Sequence, residues 1–156
     1  MTGKIAVKSK APAFKLPRDG GGQVSLADFK GRKLVLYFYP KADTSGCTVE
    51  AKDFSSLAPQ FEKAGTAILG VSADPVKKLD KFRDKHELTI ALGSDETHSM
   101  LEAYGVWAEK SMYGRKYMGV LRNTYLIDPD GRIARIWEKV KIPGHAAEVL
   151  AAAKEL

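Results

Sequence analysis

Residues 33–58 of the chain read KLVLYFYPKADTSGCTVEAKDFSSLA, and this stretch decides the fold. It opens with a continuous apolar run, residues 34–39, that is typical of a strand buried on both faces of a sheet. Pro40 ends this strand, because proline has no N–H to donate to a neighbouring strand. After a short polar loop, apolar residues recur at the spacing of one helix face: Phe54, Leu57, Ala58 and Phe61. The stretch therefore predicts a strand, a tight loop and a helix.

The only cysteine of the chain, Cys47, lies in the first turn of the predicted helix. The N–H groups of a first turn have no partners within the helix, and the helix dipole places partial positive charge there. The dipole alone stabilises a thiolate at such a position by about 0.3–1 kcal/mol. A predominantly ionised thiol needs a further cation. The sequence therefore predicts that an arginine or lysine folds back onto Cys47.

The pattern Pro40-x-x-x-Thr44-x-x-Cys47 at the end of an apolar strand resembles the active-site motif of peroxiredoxins, which are thiol peroxidases with a thioredoxin-like fold. The segment FYPKADTSGCTVEA resembles sequences of the bacterioferritin-comigratory-protein, or peroxiredoxin Q, branch of that family. Further segments resemble that branch in the same order and extend the similarity over nearly the whole chain: APAFKLPRDGG, ILGVSAD, LGSDE, YGVWAEKSMYGRKYMG and TYLIDPDGRI.

The resemblance implies an antioxidant enzyme that reduces hydrogen peroxide and organic hydroperoxides without metal, haem or flavin. Cys47 is then the nucleophile that becomes a sulfenic acid. Thr44 and Arg122 bind the peroxide, and the ring of Pro40 shelters the thiolate from water. Arg122, in GVLRNTYLID, matches the arginine that completes the site in that family, so it is the leading candidate for the cation that Cys47 needs. A guanidinium stays charged, and its forked N–H groups can contact both the sulfur of the cysteine and an oxygen of the peroxide.

Several of these residues also have a purely structural interpretation. Thr44 and Ser45 could cap the helix, and Arg122 could be an exposed arginine at the start of a strand. Glu50 lies one turn after Cys47. The favoured explanation for it is a first-turn acid whose negative charge complements the helix dipole. The three histidines lack metal-ligand spacing and are interpreted as surface residues: His86, His98 and His145.

A second, resolving cysteine is often present in the resembled branch, either five or about thirty-six residues after the peroxidatic one. Here those positions are Lys52 and Arg83, so no internal disulfide can form. We expect an external thiol, such as glutathione, a glutaredoxin or a thioredoxin, to reduce the sulfenic acid. A Cys47–Cys47 bond between two chains is the alternative, but two sheltered sulfurs would have to approach each other. The expected state is a monomer or weak homodimer.

The rest of the chain predicts one α/β domain over residues 1–156, with a thioredoxin-like central mixed β-sheet flanked by helices. An N-terminal β-hairpin is predicted around the turn 19–22, a helix kink near Ala58 before Pro59, and a helix end at Gly65. Asp74 is expected to cap the following helix. The later segments are predicted as a strand 67–72, a helix from 75 to about 86, a strand 89–92, a helix 96–104, a loop 105–119, a strand 121–127, a turn 128–131, a strand 133–137 and a helix 145–156.

The predicted loop 105–119 mixes aromatic and basic side chains that could stack single-stranded bases. The resemblance instead places this loop beside the active site, as a lid or a docking surface for the reductant. Net charge is +6, but no block of five or six like charges occurs. We therefore expect no dedicated nucleic-acid or membrane partner. The N-terminal residues lack the apolar core of a signal peptide, and one cysteine fits a reducing compartment, so the cytoplasm is the expected location.

Two other classes of function are alternatives to a peroxidase. One is a non-catalytic, basic thioredoxin-like module that binds nucleic acid or unfolded chains, with Cys47 as a buried and inert thiol. The other is a disulfide oxidoreductase, which would require a C-x-x-C motif that a single cysteine cannot supply. Reactivity of Cys47 with peroxide separates the peroxidase from both.

Overall fold

A five-stranded mixed sheet lies at the centre of the computed structural model, which describes residues 5–156. In chain order the strands are β1 Lys15–Pro17, β2 Gln23–Ser25, β3 Lys33–Phe38, β4 Thr66–Ser72, β5 Ala91–Ser94, β6 Trp107–Met112, β7 Arg115–Val120, β8 Thr124–Ile127 and β9 Ile133–Trp137. The helices are α1 Ser45–Lys63, α2 Val76–His86, α3 Ser99–Ala103 and α4 His145–Glu155, with a short 3-10 helix at Leu26–Phe29.

The apolar run of the sequence forms the middle strand, as predicted. The central sheet has the order β5-β4-β3-β8-β9, in which β3 is parallel to β4 and antiparallel to β8. Side chains alternate between the two faces of a strand. Val35, Tyr37 and Tyr39 accordingly pack with α1, α2 and α4, whereas Leu34, Leu36 and Phe38 belong to a second core on the opposite face. The thioredoxin-like mixed sheet and the N-terminal hairpin β1–β2 are both confirmed.

Helix α1 carries the Cys47 segment and runs through Pro59 to Lys63. A proline inside a helix leaves the carbonyl four residues earlier without its N–H partner. That carbonyl, of Ser55, accepts a hydrogen bond from Thr89 Oγ1 at 3.3 Å. The helix ends just before Gly65, whose φ of +67° suits glycine, so the predicted end is confirmed. The predicted kink near Ala58 stays a prediction.

Four predicted elements are wrong in position, extent or type. The strand expected at 121–127 begins only at Thr124, so Arg122 lies before it. The strand expected at 89–92 is Ala91–Ser94, and the helix expected at 96–104 is only Ser99–Ala103. The loop expected at 105–119 is a two-stranded hairpin, β6–β7, closed by a two-residue turn at Tyr113–Gly114 with φ of +52° and +77°. A two-residue turn with both φ angles positive fits the twist of paired strands. Such turns are usually marked in a sequence by Asn-Gly, Asp-Gly or Gly-Gly, and a tyrosine at the first position does not predict one.

Candidate active site

Cys47 is the third residue of α1, in its first turn, and is 1% exposed. The chain reaches it from the end of β3 through a short loop, residues 39–44. The N–H of Ala42 in this loop donates to Asp74 Oδ2 at 2.7 Å, and the same oxygen accepts from Ser72 Oγ at 2.8 Å. Asp74 was expected to cap α2, but that helix has no side-chain cap. Its carboxylate instead holds the loop that leads to Cys47.

Asp43 fastens the same loop to α2. Its backbone adopts the left-handed region, with φ of +63°, which few residue types other than glycine, asparagine and aspartate favour. Its carboxylate pairs with His86 Nε2 at 2.8 Å and accepts from Lys85 Nζ at 2.9 Å. The hydrogen bonds from His86 and Lys85 lower the pKa of Asp43, so its carboxylate stays charged. The loop before Cys47 is thus held from two sides, by α2 and by Asp74.

A guanidinium lies against the sulfur. Arg122 belongs to the short segment between β7 and β8, and its Nη2 donates to Cys47 Sγ at 3.2 Å. Its carbonyl accepts from the N–H of Val140 at 2.8 Å, and the neighbouring Asn123 side chain accepts from the N–H of Lys139 at 3.0 Å. The Arg122 side chain is only 18% exposed, which disagrees with an exposed arginine at a strand end. The structure therefore brings together the thiol and the cation that the sequence argument paired.

Glu50 occupies the other side of this guanidinium. Arg122 Nη1 donates to Glu50 Oε1 at 2.6 Å, and the Glu50 side chain is 2% exposed. Glu50 lies beyond the first turn of α1, so its interpretation as a first-turn acid is wrong. Burial raises the pKa of Glu50 to about 7, against the opposing effect of the Arg122 cation. Burial alone would lower the pKa of Arg122, but the charges of Glu50 and Cys47 raise it, so Arg122 is a permanent cation.

Thr44 and Pro40 lie in the loop that leads from β3 to the thiol. Thr44 occupies the N-cap position of α1 but makes no side-chain cap; its Oγ1 donates to the Lys41 carbonyl at 2.7 Å. The interpretation of Thr44 as a residue whose hydroxyl caps the helix is therefore wrong. Pro40 is half-buried near the start of the loop that follows β3. Within residues 5–156 no hydrogen bond joins Thr44 to Cys47, and the role predicted for Thr44 stays a prediction.

The hairpin β6–β7 places a second cation near Arg122: Lys110, which the sequence offers, with Arg115 and Lys116, only as an alternative to Arg122. Lys110 lies on β6, and its side chain crosses Gly119 of β7, where a β-carbon would stand 3.1 Å from Lys110 Cδ. Burial lowers the pKa of Lys110, and the charge of Arg122 lowers it further. Lys110 therefore folds back toward the base of the hairpin and the Arg122 cation. The lid or docking role expected for this segment stays a prediction.

His145 departs from the expectation of three surface histidines. It is 5% exposed at the start of α4, and its Nε2 is hydrogen-bonded to Thr124 Oγ1 at 2.9 Å. Burial lowers the pKa of His145 to about 4, so it is neutral at physiological pH. His86 and His98 are half-buried. His86 is paired with Asp43, and His98 stacks on Trp107 with the ring centroids 3.9 Å apart. The prediction of a surface residue is therefore wrong for His145, whereas His86 and His98 keep part of their surface exposed.

Substitution of Glu50 by glutamine should remove a pH-dependent part of the stability. The folded-state pKa of about 7 is above the ordinary value of 4.5, so the folded chain holds a proton that the unfolded chain releases between these pH values. Its stabilising contribution is complete below the unfolded-state pKa and is lost as pH rises through the folded-state pKa. Between about pH 5 and about pH 8, the unfolding free energy of the wild type should fall by about 2–3 kcal/mol relative to Glu50→Gln.

Urea unfolding at several pH values measures this difference. Glu62→Gln, which removes an exposed carboxylate of the same helix, is the matched control and should show no comparable trend. A pH-independent difference between wild type and Glu50→Gln would show that Glu50 is ionised throughout the range.

Comparisons with known proteins agree with this geometry. The model of the AhpC/TSA family matches residues 7–136. A putative peroxiredoxin bcp of Coxiella burnetii is 49% identical over 146 residues, which cover 94% of this chain and 97% of that protein. Among solved structures, a cysteine-to-serine variant of Xylella fastidiosa PrxQ superposes with a TM-score of 0.93 at 38% identity, covering 98% of each chain. The Xanthomonas campestris bacterioferritin comigratory protein, studied for alkyl peroxide reduction, has a TM-score of 0.87 at 45% identity and covers 91% of this chain and 90% of its own.

Proposed function

The chain belongs to the AhpC/TSA family, in its Bcp peroxiredoxin branch, and on that premise we propose that its chemistry is carried out by Cys47 with Pro40, Thr44 and Arg122. It is a thiol-dependent peroxidase. The observation that supports the assignment of residues is the hydrogen bond of 3.2 Å from Arg122 Nη2 to a buried sulfur in the first turn of a helix. Family membership argues against the non-catalytic module.

The proposed reaction is a two-electron oxidation of the thiolate. The sulfur of Cys47 attacks the hydroperoxide oxygen that carries the hydrogen, a sulfur–oxygen bond forms, and the O–O bond breaks. The hydroxyl stays on sulfur as sulfenic acid. The other oxygen leaves as alkoxide or hydroxide and takes a proton from solvent to give an alcohol or water. Sulfur is oxidised and the peroxide is reduced, without a cofactor.

The hydrogen-bond partners of Thr44 and Arg122 suggest how each side chain serves this step. The Thr44 hydroxyl hydrogen is committed to the Lys41 carbonyl, so its oxygen can accept the O–H of the peroxide. Arg122 uses one N–H of each terminal nitrogen, toward Glu50 and Cys47, and its other side-chain N–H groups have no hydrogen-bond partner among residues 5–156. A free N–H of Arg122 can stabilise the leaving oxygen as negative charge develops there.

We propose that an external thiol, from glutathione, a glutaredoxin or a thioredoxin, completes the cycle. That thiol attacks the sulfenic sulfur, water leaves, and a mixed disulfide forms; a second thiol then releases Cys47. The chain itself offers no alternative, because Lys52 and Arg83 occupy the positions where relatives often carry a second cysteine. The 1% exposure of Cys47 favours a small thiol over the Cys47 of another chain.

Mass spectrometry after one equivalent of peroxide tests this cycle. Without added thiol, Cys47 should gain one oxygen atom, and excess peroxide should convert it to the sulfinic acid. With glutathione present, Cys47 should appear as a mixed disulfide that further thiol removes. Quantitative conversion to a disulfide-linked dimer would overturn the proposed reductant, whereas failure of Cys47 to gain oxygen would overturn its proposed role.

We further propose that residues 1–156 work as one domain, as a monomer or weak homodimer, in the cytoplasm. In the described part of the chain, residues 5–156, no helix combines the length and the apolar character needed to span a membrane. Sedimentation of the reduced protein at micromolar concentration checks the oligomeric state, and a stable tetramer or larger ring would contradict it.

A further inference from the structure

A cleft of about 610 Å³ lies between α2 and the loop that leads to Cys47. Its volume is within the range of about 300–1,000 Å³ that is usual for small-molecule sites. Two apolar residues and two acids contribute to its lining. The other four lining residues are lysines, one from the loop and three from α2: Lys41, Lys78, Lys81 and Lys85. The cleft therefore carries a surplus of positive charge beside the active-site loop.

The two carboxylates of the cleft are already paired and leave most of this charge uncompensated. Asp43 accepts from Lys85 Nζ at 2.9 Å, which accounts for one lysine. Asp84 is three residues from Lys81, but it accepts from Arg83 Nε at 3.1 Å instead. Three exposed lysines of the cleft have no ion-pair partner among residues 5–156: Lys41, Lys78 and Lys81.

The stability of α2 gives no reason for the arrangement of its lysines. Lys78, Lys81 and Lys85 follow the spacing of one helix face, and like charges at this spacing repel each other and destabilise a helix. Asp43 relieves this repulsion only at Lys85. An anion held in the cleft would relieve it at the other two. The charge of the cleft thus fits a ligand that carries carboxylates.

The loop wall of the cleft is close to the reacting residue. Thr44 Oγ1 donates to the Lys41 carbonyl at 2.7 Å. Thr44 and Cys47 are three residues apart at the start of α1, a spacing that places β-carbons about 5–6 Å from each other. Ala42 and Phe82 of the cleft belong to the same apolar cluster as Cys47. A ligand a few residues long can therefore extend from the cleft to the first turn of α1.

We propose that this cleft binds the carboxylates of glutathione, and that the external thiol which restores Cys47 is therefore an anionic peptide thiol. The inference rests on the proposed function, because it requires an external thiol to reduce the sulfenic acid of Cys47. Glutathione has a carboxylate at each end and its thiol on the middle residue. A carboxylate held by Lys41, Lys78 and Lys81 leaves the thiol about one residue, or about 3.5 Å of chain, further toward Cys47.

The bound thiol then carries out the reduction. Its sulfur attacks the sulfenic sulfur, a sulfur–sulfur bond forms, and the sulfur–oxygen bond breaks. The hydroxide that leaves takes up a proton and becomes water. The lysines of the cleft take no part in this exchange of electrons; they raise the local concentration of the anionic thiol and orient it.

The test compares the rate constants at which glutathione and 2-mercaptoethanol, a neutral thiol, consume the sulfenic acid formed by one equivalent of peroxide. In Lys78→Gln/Lys81→Gln the ratio of the glutathione value to the 2-mercaptoethanol value should fall about fivefold, the scale of two exposed charge pairs. Raising the salt concentration from about 0.05 M to about 0.5 M should lower the ratio more in the wild type than in this variant, because salt screens exposed charges.

A matched control separates a specific cleft from the overall charge of the chain. Lys63→Gln/Lys154→Gln removes two exposed lysines at the ends of α1 and α4, outside the cleft, and should keep the wild-type ratio. An equal fall of the ratio in this control would overturn the inference, and so would an equal loss of rate with both thiols in Lys78→Gln/Lys81→Gln. If the wild type forms no sulfenic acid, or if neither thiol reduces it, the proposed function fails instead.

Discussion

Replacing Cys47 by serine should reduce peroxide consumption to the rate of buffer alone. The serine hydroxyl is not ionised at neutral pH, and no other cysteine exists in the chain to take over the attack. The two side chains have similar volumes, so the buried first turn of α1 should keep its packing. Disappearance of hydrogen peroxide, followed in single-turnover experiments with reduced protein, measures the effect.

Thermal unfolding of the same variant provides the control. Similar transition temperatures for the wild type and Cys47→Ser would show that peroxide consumption is lost because the thiol is absent and not because the variant unfolds. Residual consumption at more than a small fraction of the wild-type rate would place the reacting group elsewhere and would remove the basis of the proposed mechanism.

Substitution of Arg122 should produce the next largest loss of activity. Arg122→Met removes the charge and both hydrogen bonds, to Cys47 Sγ and to Glu50 Oε1. The rate of peroxide attack should fall about 10²–10³-fold, the scale seen when a donor to a developing oxyanion is removed. Arg122→Lys keeps a positive charge but lacks the forked pair of N–H donors of the guanidinium. The fall in the rate of peroxide attack should therefore be smaller in Arg122→Lys than in Arg122→Met. Alkylation of Cys47 by iodoacetamide at constant pH should slow in Arg122→Met more than in Arg122→Lys.

The stability of Arg122→Met should also depend on pH, in a direction set by Glu50. Removing the cation leaves a buried carboxylate unpaired, which costs about 3–5 kcal/mol when the carboxylate is charged. Burial already raises the pKa of Glu50 to about 7, so Glu50 takes up a proton at lower pH and avoids most of this cost. The deficit relative to the wild type should grow as pH rises through about 7.

Two outcomes would contradict this account. Wild-type rates in both Arg122 variants would mean that another cation serves Cys47, and Lys110, Arg115 and Lys116 of the hairpin would become the candidates. A stability deficit that does not change with pH would mean that Glu50 does not gain a proton when its partner is removed.

The centre of the fold was predictable because its signals are local. The apolar run of β3, the proline after it and the helical spacing of Phe54 and Phe61 each depend on neighbouring residues, and each predicted what the structure has. The position of Cys47 in the first turn follows from the same stretch. Arg122 lies far away in sequence, and only the resemblance to a family singled it out before the structure did.

The errors at Glu50 and Asp74 have a common physical cause, which is that burial and pairing join distant residues. Glu50 and Arg122 are 72 residues apart, and Asp74 binds a loop 32 residues earlier. No local pattern reports either contact. The hairpin β6–β7 was missed for the opposite reason: most of its side chains are exposed, so the apolar alternation that marks a strand is weak there.

Arg83 makes the gain of a second thiol costly for this lineage. It occupies one of the two positions at which the resemblance to the peroxiredoxin Q branch would place a resolving cysteine, and its Nη1 pairs with the buried carboxylate of Asp19 at 3.1 Å. Arg83→Cys would weaken that attachment of α2 to the N-terminal hairpin before any new disulfide brought a benefit. A descendant could more easily acquire the cysteine at Lys52, an exposed residue with no ion pair among residues 5–156. An ion pair remote from the chemistry thus makes residue 83 the more costly of the two positions for a second thiol.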